Sequence, residues 1–147
     1  MTSNVFWAWL HYLSVLIMFG MLLVEHLLFR PGLDTATAKR LGIVDAIYGA
    51  SATLVLITGV LRMSYEKGFA FYMQHWAFHA LITVFVIVGL LSIYPTVMFL
   101  RWRKQAGTGQ APVIPGETAQ RIILILRTEL ALVLLLPLFA TWMARGA

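Results

Sequence analysis

Four apolar runs, at about residues 5–29, 42–63, 77–100 and 120–144, constrain this chain more than any other feature of it. Each has the about 20 residues that a helix rising about 1.5 Å per residue needs to cross a hydrocarbon core. Only 12% of residues are charged and 61% are hydrophobic, where a soluble domain carries about 25% charged residues. The expectation is an all-α, four-helix transmembrane bundle forming one domain over 1–147, with no room for a second, soluble one.

The first run, FWAWLHYLSVLIMFGMLLVEHLLF from Phe6 to Phe29, carries His11 near one end and Glu25-His26 near the other. Ionisable groups inside a span are costly without partners and face protein rather than lipid. At about 100° per residue, His26 returns to within about 60° of His11 and Glu25 lies about 40° to the other side. Ser14, Met18 and Leu22 fall between them. No basic segment precedes this run and no small-residue cleavage site follows it, so it reads as a retained helix rather than a signal peptide.

Arg30-Pro31-Gly32 ends the first helix, and Asp34 or Thr35 caps a second that runs through Lys39-Arg40 into the second span. The short turn makes these two helices antiparallel neighbours. The link from Ser64 to Trp76 reads as compact and interfacial, whereas Arg101–Ala119 holds RWRK and then GTGQAPVIPG, the mark of a mobile loop. One side of the bundle collects Arg30, Lys39, Arg40, Arg101, Arg103, Lys104 and Arg121, against Arg62, Lys67 and Arg145 on the other. The positive-inside rule then puts both termini on the non-cytoplasmic side of a bacterial inner membrane. Trp7, Trp9, Trp76, Trp142, Tyr65 and Tyr72 form the outer aromatic belt and Trp102 the inner one.

The net charge of +5 follows from this topology and does not point to nucleic acid. With no cysteine, thiolate metal sites, disulfides and thiol redox chemistry are excluded. RWRK reads as an orientation signal in contact with anionic lipid. Asp45, Gly49, Ala52, Leu56, Gly59 and Arg62 or Met63 form a small-residue seam on helix two, suited to close packing and to a homo-oligomer. Pro95 and Pro137 are expected to bend helices three and four.

Depth along the helices sorts the ionisable residues into two layers. The outer one holds His11, His75, His79 and Arg62, with Glu66 just outside. His11 and His79, both near the start of their helices, are expected to face each other as axial ligands of haem b, with Arg62 on its propionates. The same residues offer a copper or zinc site, in which His75 and His79, four apart, join His11 in a three-nitrogen shell. The plainest alternative has His75 and His79 reaching to headgroups and His11 bonded to a backbone carbonyl.

The inner layer holds Glu25, His26, Asp45, Arg127 and Glu129. Arg127 and Glu129 point about 200° apart on one helix and need separate partners, for example Arg127 with Glu25. This layer is either a clasp joining helices one, two and four, or the polar mouth of a site for a quinone, a porphyrin carboxylate or a proton relay.

The segments WLHYLSVLIMFGMLLVEHLLFRPGL, ITGVLRM, GFAFY and GLLSIYPTVMFLRWR resemble an uncharacterised family of small bacterial four-span integral membrane proteins over nearly the whole chain. More distantly, the LH near the start of helix one is similar to HemJ-type protoporphyrinogen IX oxidases and CopD-like membrane proteins. The HemJ resemblance implies haem b at His11. That type also uses a lysine in the third span; none stands there in this chain, and His79 occupies the region. The function expected is b-type haem binding with membrane electron transfer or oxidoreduction on a quinone or porphyrin. The alternatives are copper or zinc handling and a cofactor-free structural or assembly subunit.

Overall fold

The computed structural model describes residues 3–145, which form helices and short connections with no strand among them. Helix α1 spans Ser3–Leu28, α2 Thr35–Tyr65, α3 Phe69–Met73, α4 Trp76–Gly107 and α5 Gly116–Arg145. All but α3 are long and apolar enough to cross a membrane.

Local chemistry sets the helix ends. Asp34 accepts a hydrogen bond from the Thr37 backbone N–H at 2.7 Å, capping α2 where the sequence places its start. The RWRK run continues α4 to Gly107 instead of opening the loop, which shortens the connection to residues 108–115. Four consecutive good or neutral helix formers give α4 no reason to stop at the membrane edge. Pro95 and Pro137 both lie inside continuous helices.

The long helices pack as a ring in which α1 and α4 each contact α2 and α5, leaving α1 and α4 on a diagonal. Met18, Leu22, Leu41, Phe99, Ile122 and Leu126 fill the centre. Large apolar side chains such as Leu16, Leu27, Leu90 and Leu124 cover the outside, as lipid as solvent allows. Trp102 differs from its expected interfacial role: it is buried, stacked on Phe29 with ring centroids 5.9 Å apart and against Phe99 at 6.0 Å. The short first link brings Phe29 over the end of α4, and burying two aromatic faces outweighs a headgroup position.

Two glycines of α2 are used within the chain. Gly59 lies against the His11 ring of α1, and Gly42 against the side chain of Arg103 on α4. Of the seam residues, Gly59 is used in this way, whereas Gly49 and Leu56 stay on the exposed face of the bundle.

Candidate functional site: a carboxyl layer beside a lipid-facing cleft

The four long helices contribute polar groups to one buried layer. Glu25 comes from α1, Asp45 and Tyr48 from α2, Ser92 from α4 and Glu129 from α5. The three carboxyl residues are 1%, 3% and 1% exposed in that order. Asp45 and Tyr48 are three apart and therefore share a helical face.

Within the layer, the buried carboxyls of Glu25 and Asp45 come from the neighbouring helices α1 and α2. Oε1 of Glu25 is enclosed without a hydrogen-bond partner. On the far side, Ser92 Oγ donates to Glu129 Oε1 at 2.7 Å and also approaches the Val88 carbonyl at 2.7 Å. The Tyr48 hydroxyl lies 2.8 Å from Ser92 Oγ. Since Ser92 has one hydrogen and that hydrogen is committed, Tyr48 is the donor between them.

This chain of hydroxyls ends at a cleft. Between α2 and α4 a space of about 520 Å³, its mouth included, is lined by Tyr48, Gly49, Ala52, Val88, Gly89 and Ser92, with Met18, Phe85 and Thr96 completing it. Gly49 and Gly89 are on the exposed face of the bundle, and a Cβ at either would meet nothing within 4 Å. Missing side chains thus open the cleft toward lipid, with two hydroxyls at its floor and a carboxyl behind them. About 180 Å³ of this space admits a water-sized sphere, less than a typical small-molecule site, but apolar walls with a few polar groups are features such sites share.

Arg127 and His26 stand apart from this layer. The expected Arg127–Glu25 pair is absent; Arg127 Nε donates to His26 Nε2 at 3.4 Å on the exposed side. The opposite directions of residues 127 and 129 are as the spacing requires, and they turn Arg127 away from Glu25. Three buried carboxyls therefore share a layer with no basic side chain in hydrogen-bond or ion-pair contact among the described residues.

The outer layer divides in two. His11 Nδ1 is 2.8 Å from Thr58 Oγ1, which itself donates to the Leu54 carbonyl at 2.6 Å. With the Thr58 hydrogen on the Leu54 carbonyl, Thr58 accepts from the imidazole in its Nδ1–H tautomer, which leaves the Nε2 lone pair over, as in ligand histidines. Arg62 Nη2 and Nε bind Glu66 Oε1 at 2.7 and 3.0 Å, and its guanidinium lies 5.0 Å from the centre of the Tyr12 ring. Tyr72 in the α2–α4 link donates to Glu66 Oε2 at 3.4 Å, and burial, then the Glu66 charge, push its phenol up.

His75 and His79 belong elsewhere. His75 has β-region backbone angles and precedes α4; its Nδ1 accepts from the Ala77 N–H at 3.2 Å as an N-cap. Being outside the helix, it is not on one face with His79. His79 is exposed, and its Nε2 is 2.7 Å from the Met73 carbonyl, tying α3 to α4. The expected facing of His11 and His79 is therefore not formed: their helices are diagonal and each ring is engaged by a different partner. Nor do His11, His75 and His79 gather; no three His, Asp or Glu side chains among the described residues are placed to hold a metal ion.

Tyr48, Ser92 and Gly89 line the cleft and are missed by a charge-based reading, while Gly49 enters the sequence analysis only as a packing residue. A mid-span tyrosine on the face of Asp45, and the serine in GLLSIYPT, are the signals that could have pointed to them.

Fold and site together define an integral membrane protein with a four-helix bundle and a polar layer reached from the lipid side. The chain belongs to the family described as "Predicted membrane protein (DUF2214)", whose model matches residues 3–147. No curated protein and no solved structure matches it.

Proposed function

We propose that the chain binds a lipid-soluble quinone in the α2/α4 cleft and serves membrane oxidoreduction there. The observation that carries this reading is the Tyr48–Ser92–Glu129 hydrogen-bond chain at the floor of an apolar cleft open to lipid. A neutral ring with carbonyl oxygens suits hydroxyl donors and apolar walls. A porphyrin carboxylate suits the site less well, because Glu25, Asp45 and Glu129 lie behind the floor and would oppose a further anion. Seven basic residues at the end opposite the termini support the setting of a bacterial cytoplasmic membrane, with both termini outside.

The test is equilibrium binding of a short-tailed benzoquinone to the protein in detergent or nanodiscs. Gly89→Leu and Gly49→Leu fill open space without displacing a neighbour at Cβ. Each is expected to weaken binding about tenfold or more, or about 1.4 kcal/mol. Undiminished binding in both variants, or none in the unmodified protein, overturns the reading; in the second case a cofactor-free assembly subunit becomes the better description.

His11 supports a second reading. Its Nδ1–H is held by Thr58 and its Nε2 is unspent, which fits one axial ligand of haem b. His79 and Arg62 fit less well in the axial and propionate roles, since Met73 and Glu66 already engage them. Haem bound there would supply one-electron chemistry, and His11 would orient it. The expected signature is a Soret band that shifts on reduction, is lost in His11→Ala and persists in His79→Ala. Copper or zinc handling has weaker support, because His75 and His79 are occupied as cap and tie.

A further inference from the structure

We infer that occupancy of the cleft is coupled to one proton on Glu129, with Ser92 as the positioning residue whose hydroxyl reverses direction. The inference rests on the cleft being a head-group site.

With Glu129 charged, Ser92 donates to Oε1, and Tyr48 donates to Ser92. Both hydrogens point toward the carboxylate, and a charge-assisted bond of this kind is roughly twice as strong as a neutral one. The Tyr48 hydrogen is then withheld from the cleft. With Glu129 protonated, its carboxylic hydroxyl is a donor and Ser92 Oγ becomes the acceptor. The serine hydrogen turns to the Val88 carbonyl at 2.7 Å, a partner already in place. Tyr48 no longer supports a carboxylate through Ser92 and its O–H is released toward the space it lines.

A carbonyl oxygen in the cleft needs that donor. Its binding therefore favours the protonated form of Glu129, and protonation favours binding by the same factor. A charged–neutral chain of three groups passes the signal without any movement of backbone, because only hydroxyl rotation and one proton are involved.

The groups facing Glu129 come from every neighbouring element. They are Glu25 of α1, Asp45 and Tyr48 of α2, and Ser92 of α4. On α5 itself, Arg127 is turned outward to His26. All the titratable neighbours are acidic, so nothing in the layer holds Glu129 as an anion except the serine bond. That makes Ser92 the residue on which the proton balance of the layer depends.

The experiment is calorimetric titration of the full chain in nanodiscs with a short-tailed benzoquinone, repeated in buffers of different ionisation enthalpy. About one proton is expected to be taken up per quinone bound, with affinity falling by at most about tenfold per pH unit as pH rises. Glu129→Gln is expected to bind with no proton uptake and no pH dependence. Ser92→Ala is expected to bind without uptake, and Ser92→Thr, which keeps the hydroxyl, to restore it. Quinone binding without proton uptake in the unmodified protein, or uptake undiminished in Ser92→Ala, overturns the coupling while leaving the cleft reading intact. Absence of quinone binding overturns the cleft reading and the coupling with it.

Discussion

His11 on α1 and Thr58 on α2 are joined by a 2.8 Å side-chain hydrogen bond that crosses the helix pair near the end bearing the termini. Thr58 is fully enclosed and its hydroxyl is a relay, accepting from the ring and donating to Leu54. Thr58→Val keeps the shape and removes the acceptor, so the Nδ1–H loses its partner. The expected loss is about 1–2 kcal/mol in reversible unfolding in mixed micelles, with recovery in Thr58→Ser. Equal stability of the valine variant would mean that water or another acceptor serves the imidazole.

Glycine positions on α2 and α4 should separate sharply by substitution. A Cβ at Gly42 would lie 2.9 Å from Arg103 Cβ and 2.6 Å from its Cδ. The first of these atoms is fixed to the α4 backbone and cannot swing away. Gly42→Val is expected to cost about 1–3 kcal/mol through forced separation of α2 and α4. Gly49→Ala and Gly89→Ala meet nothing within 4 Å and are expected to be neutral or slightly stabilising. Thermal unfolding in one detergent, across the three variants, checks the order.

What sequence made legible and what it hid follow one division. Hydrophobic length gave the four spans, and the local chemistry of Asp34 and Thr37 gave the start of α2, because both depend on residues near in sequence. The opposed directions of Arg127 and Glu129 were equally local. Depth along a helix, however, carries no information on which helices are neighbours. His11 and His79 have similar depth but sit on diagonal helices, and Arg127 found His26 rather than Glu25. His75 and His79 are four apart, but His75 caps α4 instead of extending it, so the two do not share a helical face. Tyr48 and Ser92 escaped notice because neutral hydroxyls give no charge signal. Their pairing exists only once α2 and α4 are side by side.

The Asp34 cap gives a pH-dependent prediction. Its hydrogen bonds with Thr37 hold the carboxyl below its ordinary value of 3.8, with the Arg30 and Arg40 charges adding to the effect. A carboxyl depressed in the folded state stabilises above its unfolded value and loses that contribution as pH falls through the folded value. Asp34→Ala should therefore lower the stability of the α2 start at neutral pH, and the difference should shrink in acid, as pH falls through the lowered folded value. Hydrogen exchange at the first turn of α2, compared between the two proteins at both pH values, reads this directly. A difference that persists in acid would assign the effect to helix packing instead of the cap.

Glu25 provides the test of whether the carboxyl layer is kept for stability. Its Oε1 is enclosed with no donor, and its neighbour Asp45 is also a carboxyl. An enclosed acceptor without a partner costs about 1–3 kcal/mol. Glu25→Gln keeps the volume and supplies an N–H₂ that donates to Asp45, so it should raise the unfolding free energy by about 1 kcal/mol or more. A clasp built for stability would behave in the opposite way, weakening when either member is changed. If the glutamine variant is more stable and loses proton uptake or quinone binding, the layer trades stability for a proton-holding role, as functional sites commonly do. If it is less stable, Glu25 and Asp45 form a structural pair and the site contracts to Tyr48, Ser92 and Glu129.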